Sequence, residues 1–285
     1  MSKPAFLILA HEDQPLLELL TGQLLQFGTV YIHLDTKSSI PESFLENRPN
    51  LHIYKEFSIR WGHWSMVEAT MFLADKAVAD GATYLSYLSG NTLPVCSKEE
   101  FQEFLDEEGD YFEANPITDE EFANRNRAFQ RRFTHRYIAF KSRRNFAGRL
   151  QRRLMREAFA LTPKLNYKKS LGDMTLCHGI GFWSVKATTY TRAIIEAHGR
   201  PSLMKYFKAT EISDESFFQT AFRFITAPKA NTARTYVDWI GSGTPAFITK
   251  DHLKAIQDSD YIFARKFRSG DGELLSVFQE NWSQD

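Results

Sequence analysis

The N-terminal part of the chain alternates between apolar runs and an amphipathic segment, and this alternation most constrains the fold. Ala5–Ala10 is a short apolar run typical of a buried strand, and Val30–Leu34 is a second one that ends at Asp35. Between them, Gln14–Phe27 carries leucines at helical spacing. A strand–helix–strand unit predicts a parallel sheet that binds ligands at the carboxyl ends of its strands.

The same alternation continues along the chain, with boundaries good to a few residues. Further strands are expected over Leu51–Tyr54, Tyr84–Leu88, Tyr111–Glu113 (at an edge), Leu176–Val185, Arg234–Trp239 and Tyr261–Phe267 (a strand or a turn). Further helices are expected over Ser65–Ala79 (capped by Ser65), Phe101–Leu105, Ala187–His198, Glu215–Phe224 and Lys250–Gln257. We therefore expect one α/β domain spanning residues 1–285.

The formal net charge is zero, but the charges are strongly segregated. Acids dominate from Lys98 to Glu121, whereas from Arg125 to Lys169 the only acid among many Lys and Arg is Glu157. We expect residues 116–173 to form an inserted basic helical subdomain. The basic stretch, residues 125–169, suits an anionic acceptor, an anionic membrane surface or, because aromatics interleave with Arg, a nucleic acid. Alternatively, it pairs with the acidic segment before it.

The cysteines and the N-terminus bear on location. Cys96 and Cys177 could form one bridge, but two free thiols in a reducing cytoplasm are favoured. The apolar run Ala5–Ala10 is too short for a signal peptide or a membrane span. We expect a cytoplasmic protein, with peripheral contact to the inner membrane through residues 125–169, and no nucleic-acid partner.

Two acids are candidates for chemistry. Asp35 follows a buried strand, where α/β folds bind nucleotides, although the residues alone favour an Asx turn that closes the strand. Glu215 falls in the first turn of an expected helix, whose dipole favours the ionised carboxylate that a general base needs. Acids are also common in first turns for helix stability alone.

Two further segments combine aromatic and basic side chains. IRWGHWS, Ile59 to Ser65, suits a loop packing against a base or a sugar, or a helix-entry loop anchored by Trp64. FARKF, Phe263 to Phe267, places Arg265 and Lys266 where they could stabilise a departing diphosphate, or be a solvated basic pair. Asp258-Ser259-Asp260 has a metal-binding spacing, but its late position favours a turn, and we expect no metal site.

Eight segments carry a family resemblance. They are LILAHED (Leu7 to Asp13), YIHLDTKS (Tyr31 to Ser38), WGHWSMVEA (Trp61 to Ala69), YLSYLSGNTLPV (Tyr84 to Val95), GFWSV (Gly181 to Val185), SDESFFQT (Ser213 to Thr220), YVDWIGSGTP (Tyr236 to Pro245) and FARKF. In this order they resemble the branching β-1,6-N-acetylglucosaminyltransferases of the core-2 and I-branching type and the peptide O-xylosyltransferases, with their bacterial members.

The resemblance implies a GT-A-like (Rossmann-like) fold, a mixed, mostly parallel sheet flanked by helices. It also implies inversion at the anomeric carbon without a metal or another cofactor, with a UDP-sugar as donor and a glycan or glycolipid as acceptor. Carried over residue by residue, it makes Glu215 the catalytic base and Arg265 and Lys266 the diphosphate ligands. The remaining donor contacts that it implies are Asp35, Ile59, Arg60, Trp61, Phe182, Trp183, Ser242 and Thr244.

The sequence departs from the family pattern in three places. Asn91 stands where Asp is usual, Phe182 stands where many members have Trp, and residues 116–173 match little. The expected activity is transfer of N-acetylglucosamine or xylose in bacterial surface polysaccharide synthesis. The alternative is a non-catalytic glycan- or nucleic-acid-binding protein that uses the basic segment. A hydrolase using Glu215 and Asp214 is disfavoured, because adjacent residues of a helix cannot flank one bond.

Overall fold

A computed structural model of the chain describes residues 2–45, 48–137, 164–240 and 244–283. The strands are β1 Pro4–Ala10, β2 Thr29–Leu34, β3 Leu51–Tyr54, β4 Tyr84–Ser89, β5 Thr92–Pro94, β6 Tyr111–Phe112, β7 Asn115–Pro116, β8 Cys177–His178, β9 Trp183–Lys186, β10 Thr235–Val237, β11 Trp239–Ile240, β12 Thr244–Pro245 and β13 Phe263–Arg265. The helices are α1 Gln14–Leu24, α2 Ser65–Ala79, α3 Lys98–Glu107, α4 Asp119–Asn124, α5 Arg127–Thr134, α6 Tyr167–Leu171, α7 Ala187–His198, α8 Pro201–Phe207, α9 Phe217–Ile225, α10 Leu253–Gln257 and α11 Gly272–Ser283. Ser213–Glu215 and Lys250–His252 are single 3-10 turns.

The central sheet has the strand order β3-β2-β1-β4-β9-β6. Its first four strands are parallel, and β9 runs antiparallel to both β4 and β6. The sheet is therefore mixed and mostly parallel, as predicted, and β6 forms the expected edge. The strands β1, β2 and β4 bring the residues that follow their carboxyl ends to one side of the sheet.

Both faces of the sheet are covered by helices. Phe6 and Ile8 of β1 pack in a core with residues of α1, α3 and α11, whereas Ala5 and Leu7 pack in a second core with residues of α2, α7 and α9. This alternation follows from the period of a strand, whose successive side chains point to opposite faces. The two thiols are free and buried, Cys177 in the second core and Cys96 in the first.

A second sheet returns the C-terminal part of the chain to the end of β4. In it β13 lies between β10, which is parallel, and β5, which is antiparallel. The register pairs Arg265 with Thr92, three residues after the end of β4. The FARKF segment therefore lies beside the carboxyl edge of the central sheet.

Two local expectations were wrong. Ser65 does not cap α2: the residue before the helix is Trp64, and the Ser65 hydroxyl instead accepts a hydrogen bond from Arg60 N at 3.0 Å. The expected strand over Leu176–Val185 is divided into β8 and β9. Between them Gly179 lies so close to the neighbouring backbone that a Cβ would stand 2.0 Å from the Glu113 carbonyl oxygen.

The basic stretch is only partly described, since residues 138–163 lie outside the described ranges. On either side of this gap, Arg125 pairs with Glu121 at 2.7 Å, and Lys168 pairs with Asp119 at 2.6 Å. For these residues pairing with the acidic segment is confirmed. None of the helices in the described ranges combines the length and apolar character that crossing a bilayer requires.

Two glycines of the first strand–helix–strand unit provide a matched test of its packing. A Cβ at Gly28 would lie 2.2 Å from the Pro4 carbonyl oxygen, whereas nothing lies within 4 Å of one at Gly22 inside α1. Gly28→Ala should therefore lower the free energy of unfolding. Gly22→Ala should raise it by about 0.5–1 kcal/mol, because alanine restricts the unfolded chain and favours helix. Denaturant unfolding of both variants measures this, and equal effects would contradict the described packing.

Candidate active site

Glu215 ends the 3-10 turn Ser213–Glu215, and Ser216 separates it from α9. Its expected position in the first turn of a helix is therefore wrong, because Ser216 adopts φ −147° and interrupts the helical path. The Glu215 carbonyl oxygen accepts a hydrogen bond from Gly179 N at 3.1 Å. This bond fixes the turn against the connection between β8 and β9.

The Glu215 carboxylate is paired with an arginine from a distant part of the chain. Arg132 Nη2, on α5, lies 3.1 Å from Glu215 Oε2 and also donates to the Ile212 carbonyl oxygen at 3.3 Å. The side chains are 16% and 26% exposed, respectively, so the pair is partly accessible. Sequence reasoning placed Arg132 only within the basic stretch, because no local pattern distinguishes it from its neighbours.

The adjacent Asp214 is only 7% exposed, and its Oδ1 has no hydrogen-bond partner among the described residues. A Cβ at Gly181 would lie 3.3 Å from Asp214 Oδ2, so glycine leaves room for the carboxylate there. Burial, aided by the charge of Glu215, raises the pKa of Asp214 from its ordinary 3.8 to about 7. The carboxylates of Asp214 and Glu215 are thus neighbours in one desolvated part of the site.

The pKa of Glu215 is also raised, chiefly by burial, while the positive charges of Arg132 and Arg265 oppose the shift. This reverses the direction expected from a helix dipole. A carboxylate that burial makes more basic, yet that two cations help to keep ionised, is suited to accept a proton near neutral pH.

Arg265 lies in this charged cluster. Its guanidinium lies over the Phe182 ring, 4.7 Å from the centroid, and donates from Nη2 to Asn91 Oδ1 at 3.3 Å. Burial lowers its pKa to about 10, and the charges of Glu215 and Asp214 oppose the shift, so it remains a cation at neutral pH. The structure therefore brings together three of the residues singled out in the sequence, Glu215, Phe182 and Arg265.

Lys266 stands over an exposed ring. Its Nζ lies 5.0 Å from the Phe247 centroid, and the Arg268 guanidinium lies 5.0 Å from the same centroid. Lys266 N donates to the Ala246 carbonyl oxygen at 3.4 Å, next to the hairpin that contains Thr244. Thr244 is exposed beside the Arg265–Lys266 segment, whereas Ser242 lies outside the described residues.

The loop that precedes α2 packs against the Glu215 turn. Ile212 N donates to the Gly62 carbonyl oxygen at 2.7 Å, and the buried Trp64 ring packs edge-on against Phe217, 5.1 Å away. Trp64 therefore anchors the loop, as the helix-entry interpretation expects. Trp61 of the same loop is 54% exposed.

Asp35 lies directly after β2 and forms the Asx turn that was the alternative interpretation, with Lys37 N donating to Oδ1 at 2.9 Å. Lys37 Nζ also lies 2.8 Å from Asp35 Oδ2 and donates to the Ile59 carbonyl oxygen. Asp35 is thus connected through Lys37 to the loop that carries Ile59, Arg60 and Trp61.

Trp183 does not reach the cluster. It is 1% exposed and its ring packs in the core against Tyr190, Phe218 and Phe222, so of the pair Phe182–Trp183 only Phe182 contacts Arg265. This corrects the expectation of a donor contact at Trp183, because β9 lies between β4 and β6 and buries it.

Asp258 and Asp260 form a turn, as expected. Asp258 follows the end of α10, and Asp260 pairs with Arg234 at 3.3 Å. Across the described part of the chain, no three or more His, Cys, Asp or Glu side chains are grouped so that they could hold a metal ion.

The Core-2/I-Branching enzyme family matches residues 4–257. The chain belongs to this family. Its members are glycosyltransferases, which take a nucleotide-sugar donor and a glycan acceptor. The match includes Asp35, the loop before α2 and Glu215, but it ends before Arg265 and Lys266. The proximity of Arg265 to Glu215 is therefore a contribution of the structure.

Among solved structures, the chain is similar to the crystal structure of 4-diphosphocytidyl-2C-methyl-D-erythritol synthase, with 9% identity and a TM-score of 0.40 over 90% of this chain and 98% of that one. It is also similar to the mannose-1-phosphate geranyltransferase from Thermus thermophilus, with 12% identity and a TM-score of 0.33 over 74% and 69%. No curated protein matches the chain in sequence.

The raised pKa of Asp214 makes stability depend on pH. Because its folded-state pKa is about 7 and its ordinary value is 3.8, the folded protein keeps a proton that the unfolded chain has lost between these values. The free energy of unfolding should therefore fall as pH rises from about 4 to about 7. Asp214→Asn should flatten this dependence. Denaturant unfolding across the range measures it, with the exposed Asp258→Asn as control, and an unchanged slope in Asp214→Asn would contradict the assignment.

Proposed function

We propose that this protein is an inverting, metal-independent glycosyltransferase. It moves N-acetylglucosamine or xylose from a UDP-sugar onto a hydroxyl of a glycan or glycolipid. The observation that carries the proposal is a partly exposed glutamate, Glu215, paired with Arg132 and within the electrostatic field of Arg265. Membership of a glycosyltransferase family supports the reaction class.

The donor binds at the carboxyl edge of the central sheet, in a GT-A-like arrangement. Asp35 follows β2, the exposed Trp61 lies in the loop before α2, and Asn91 follows β4. Ligands of open α/β sheets bind at this edge, because the loops after neighbouring parallel strands converge there. In this arrangement Asp35 and Trp61 contact the nucleoside, while Arg265 and Lys266 lie at the diphosphate.

Glu215 acts as the general base in a single displacement. Its carboxylate takes the proton of the acceptor hydroxyl as the hydroxyl oxygen forms a bond to the anomeric carbon, from the face opposite the diphosphate. The bond between the anomeric carbon and the phosphate oxygen breaks, and its electron pair leaves with UDP. One such displacement inverts the anomeric configuration. A positioned general base typically contributes about 10²–10⁴-fold to the rate.

Arg265 and Lys266 stabilise the negative charge that develops on the departing diphosphate. Preorganised cations in a desolvated site are effective because they need little reorientation as the charge develops. Arg265 meets this condition, since Phe182 and Asn91 hold its guanidinium from two sides. The pair supplies the charge that a divalent metal ion supplies in metal-dependent glycosyltransferases.

The setting that we propose is bacterial surface polysaccharide synthesis, at the cytoplasmic side of the inner membrane. The basic stretch, residues 125–169, would then contact the anionic bilayer surface. Pairing of Arg125 with Glu121 and of Lys168 with Asp119 reduces the charge that these two residues offer to a bilayer. The remaining cations of the stretch would carry the attraction.

Glu215→Gln should lower kcat/KM for sugar transfer by about 10²–10⁴-fold, because the amide cannot accept the proton. UDP binding should persist. Lys266→Ala should weaken UDP binding as well as transfer. The assay is sugar transfer with UDP affinity measured in parallel. Matched controls are Glu103→Gln and Lys76→Ala, which change exposed side chains on α3 and α2. Full activity in Glu215→Gln would remove Glu215 from its role.

Transfer by the wild-type protein should be unchanged in EDTA, because Arg265 and Lys266 rather than a divalent ion neutralise the diphosphate. The measurement is the initial rate of transfer with and without EDTA, followed by addition of Mn²⁺. If EDTA abolishes activity and Mn²⁺ restores it, metal independence is wrong even if Glu215 is the base.

A further inference from the structure

The charged groups that face Glu215 come from four parts of the chain. Arg132 lies on α5, Arg265 ends β13, Glu113 follows β6, and Asp214 precedes Glu215 in its own turn. Burial and the charge of Glu113 disfavour a charge on Glu215, and the two arginines favour it. Of these four groups, Arg132 donates a hydrogen bond to the Glu215 carboxylate, at 3.1 Å.

Donor binding changes this balance. A nucleoside diphosphate at Arg265 and Lys266 brings negative charges that compensate the guanidinium of Arg265. The electrostatic effect of Arg265 on Glu215 is then weaker, because Coulomb contributions of opposite sign partly cancel. Burial of Glu215 and the charge of Glu113 remain. Among the described residues, Arg132 is therefore the cation that still favours the ionised form of Glu215 in the donor complex.

We propose that Arg132 is a positioning residue that holds Glu215 ionised and oriented while the donor diphosphate is bound. This inference rests on the proposed function of Glu215 as the base. Arg132 binds Oε2 of Glu215. The proposal therefore makes the other oxygen, Oε1, the acceptor of the proton from the acceptor hydroxyl. It also makes α5, from the region that matches the family pattern least, a part of the active site.

The fold fixes Arg132 in this position. The neighbouring Phe133 is fully buried, and its carbonyl oxygen accepts a hydrogen bond from Tyr206 Oη at 2.9 Å. After α5, Tyr137 N donates to the Ala209 carbonyl oxygen at 2.8 Å. The second bond of Arg132, to the Ile212 carbonyl oxygen, ties its guanidinium to the backbone of the Glu215 turn. The guanidinium is therefore oriented before the acceptor arrives.

The test is the pH profile of transfer, measured as kcat at saturating donor and acceptor. An adjacent arginine lowers a carboxyl pKa by about 1–3 units. In Arg132→Gln the acid limb of kcat should move to higher pH by about one unit or more, and activity should recover as pH rises. Arg132→Lys keeps the charge and should leave the limb within about half a unit of wild type. UDP affinity should be unchanged in both, and Arg192→Gln, which changes an exposed arginine on α7, should behave as wild type.

If the acid limb of Arg132→Gln stays in place, the proposal is overturned. If the limb stays in place and the KM for the acceptor rises, Arg132 is an acceptor ligand instead. If Arg132→Gln does not fold, as judged by lost UDP binding, Arg132→Lys decides: a limb moved by a full unit despite the retained charge contradicts the proposal. Glu215→Gln separates the two hypotheses. Activity in Glu215→Gln overturns the base itself, whereas an inactive Glu215→Gln with an unmoved limb in Arg132→Gln overturns only the role of Arg132.

Discussion

The site depends on the balance between two desolvated carboxylates and two arginines. Burial favours the protonated forms of Asp214 and Glu215, and the charge of Glu215 further disfavours a charge on Asp214. Arg132 and Arg265 oppose this effect. The result differs between the neighbours, because Asp214 is enclosed, whereas Glu215 is partly exposed and bonded to Arg132. Of the two, Glu215 is therefore the carboxylate that is both partly exposed and directly paired with a cation.

The fold supplies these groups from positions far apart in sequence. The parallel strands bring Asp35 and the loop before α2 to one edge of the central sheet. The second sheet returns β13 to β5, which places Arg265 next to the end of β4. The helix α5 approaches from outside the sheet and is held by the buried Phe133. Each element has its own packing contacts, which hold the charged residues in place around the site.

Several details could not be read from local patterns. The sequence around Glu215 predicts a helix, but the backbone of Ser216 interrupts it. Burial rather than a helix dipole therefore sets the direction in which the pKa of Glu215 is shifted. Phe182 and Trp183 are adjacent aromatic residues, and the sequence gives no reason to prefer either as a ligand contact. Of the two, Phe182 lies against Arg265. The pairing of Arg132 with Glu215 could not be predicted from the basic stretch, because Glu215 lies 83 residues further along the chain.

The sequence by itself determined the strand–helix–strand order, the mostly parallel sheet, the family and the candidate acid and cations. Those features are local, because periodicity, turn residues and motif order depend on neighbours in the chain. Only the tertiary structure decided which of the candidates meet: Glu215 with Arg132, Arg265 with Phe182 and Asn91, and Trp183 with the core. Contacts between distant segments depend on how the sheets and helices pack, and so does the desolvation that makes a carboxylate basic.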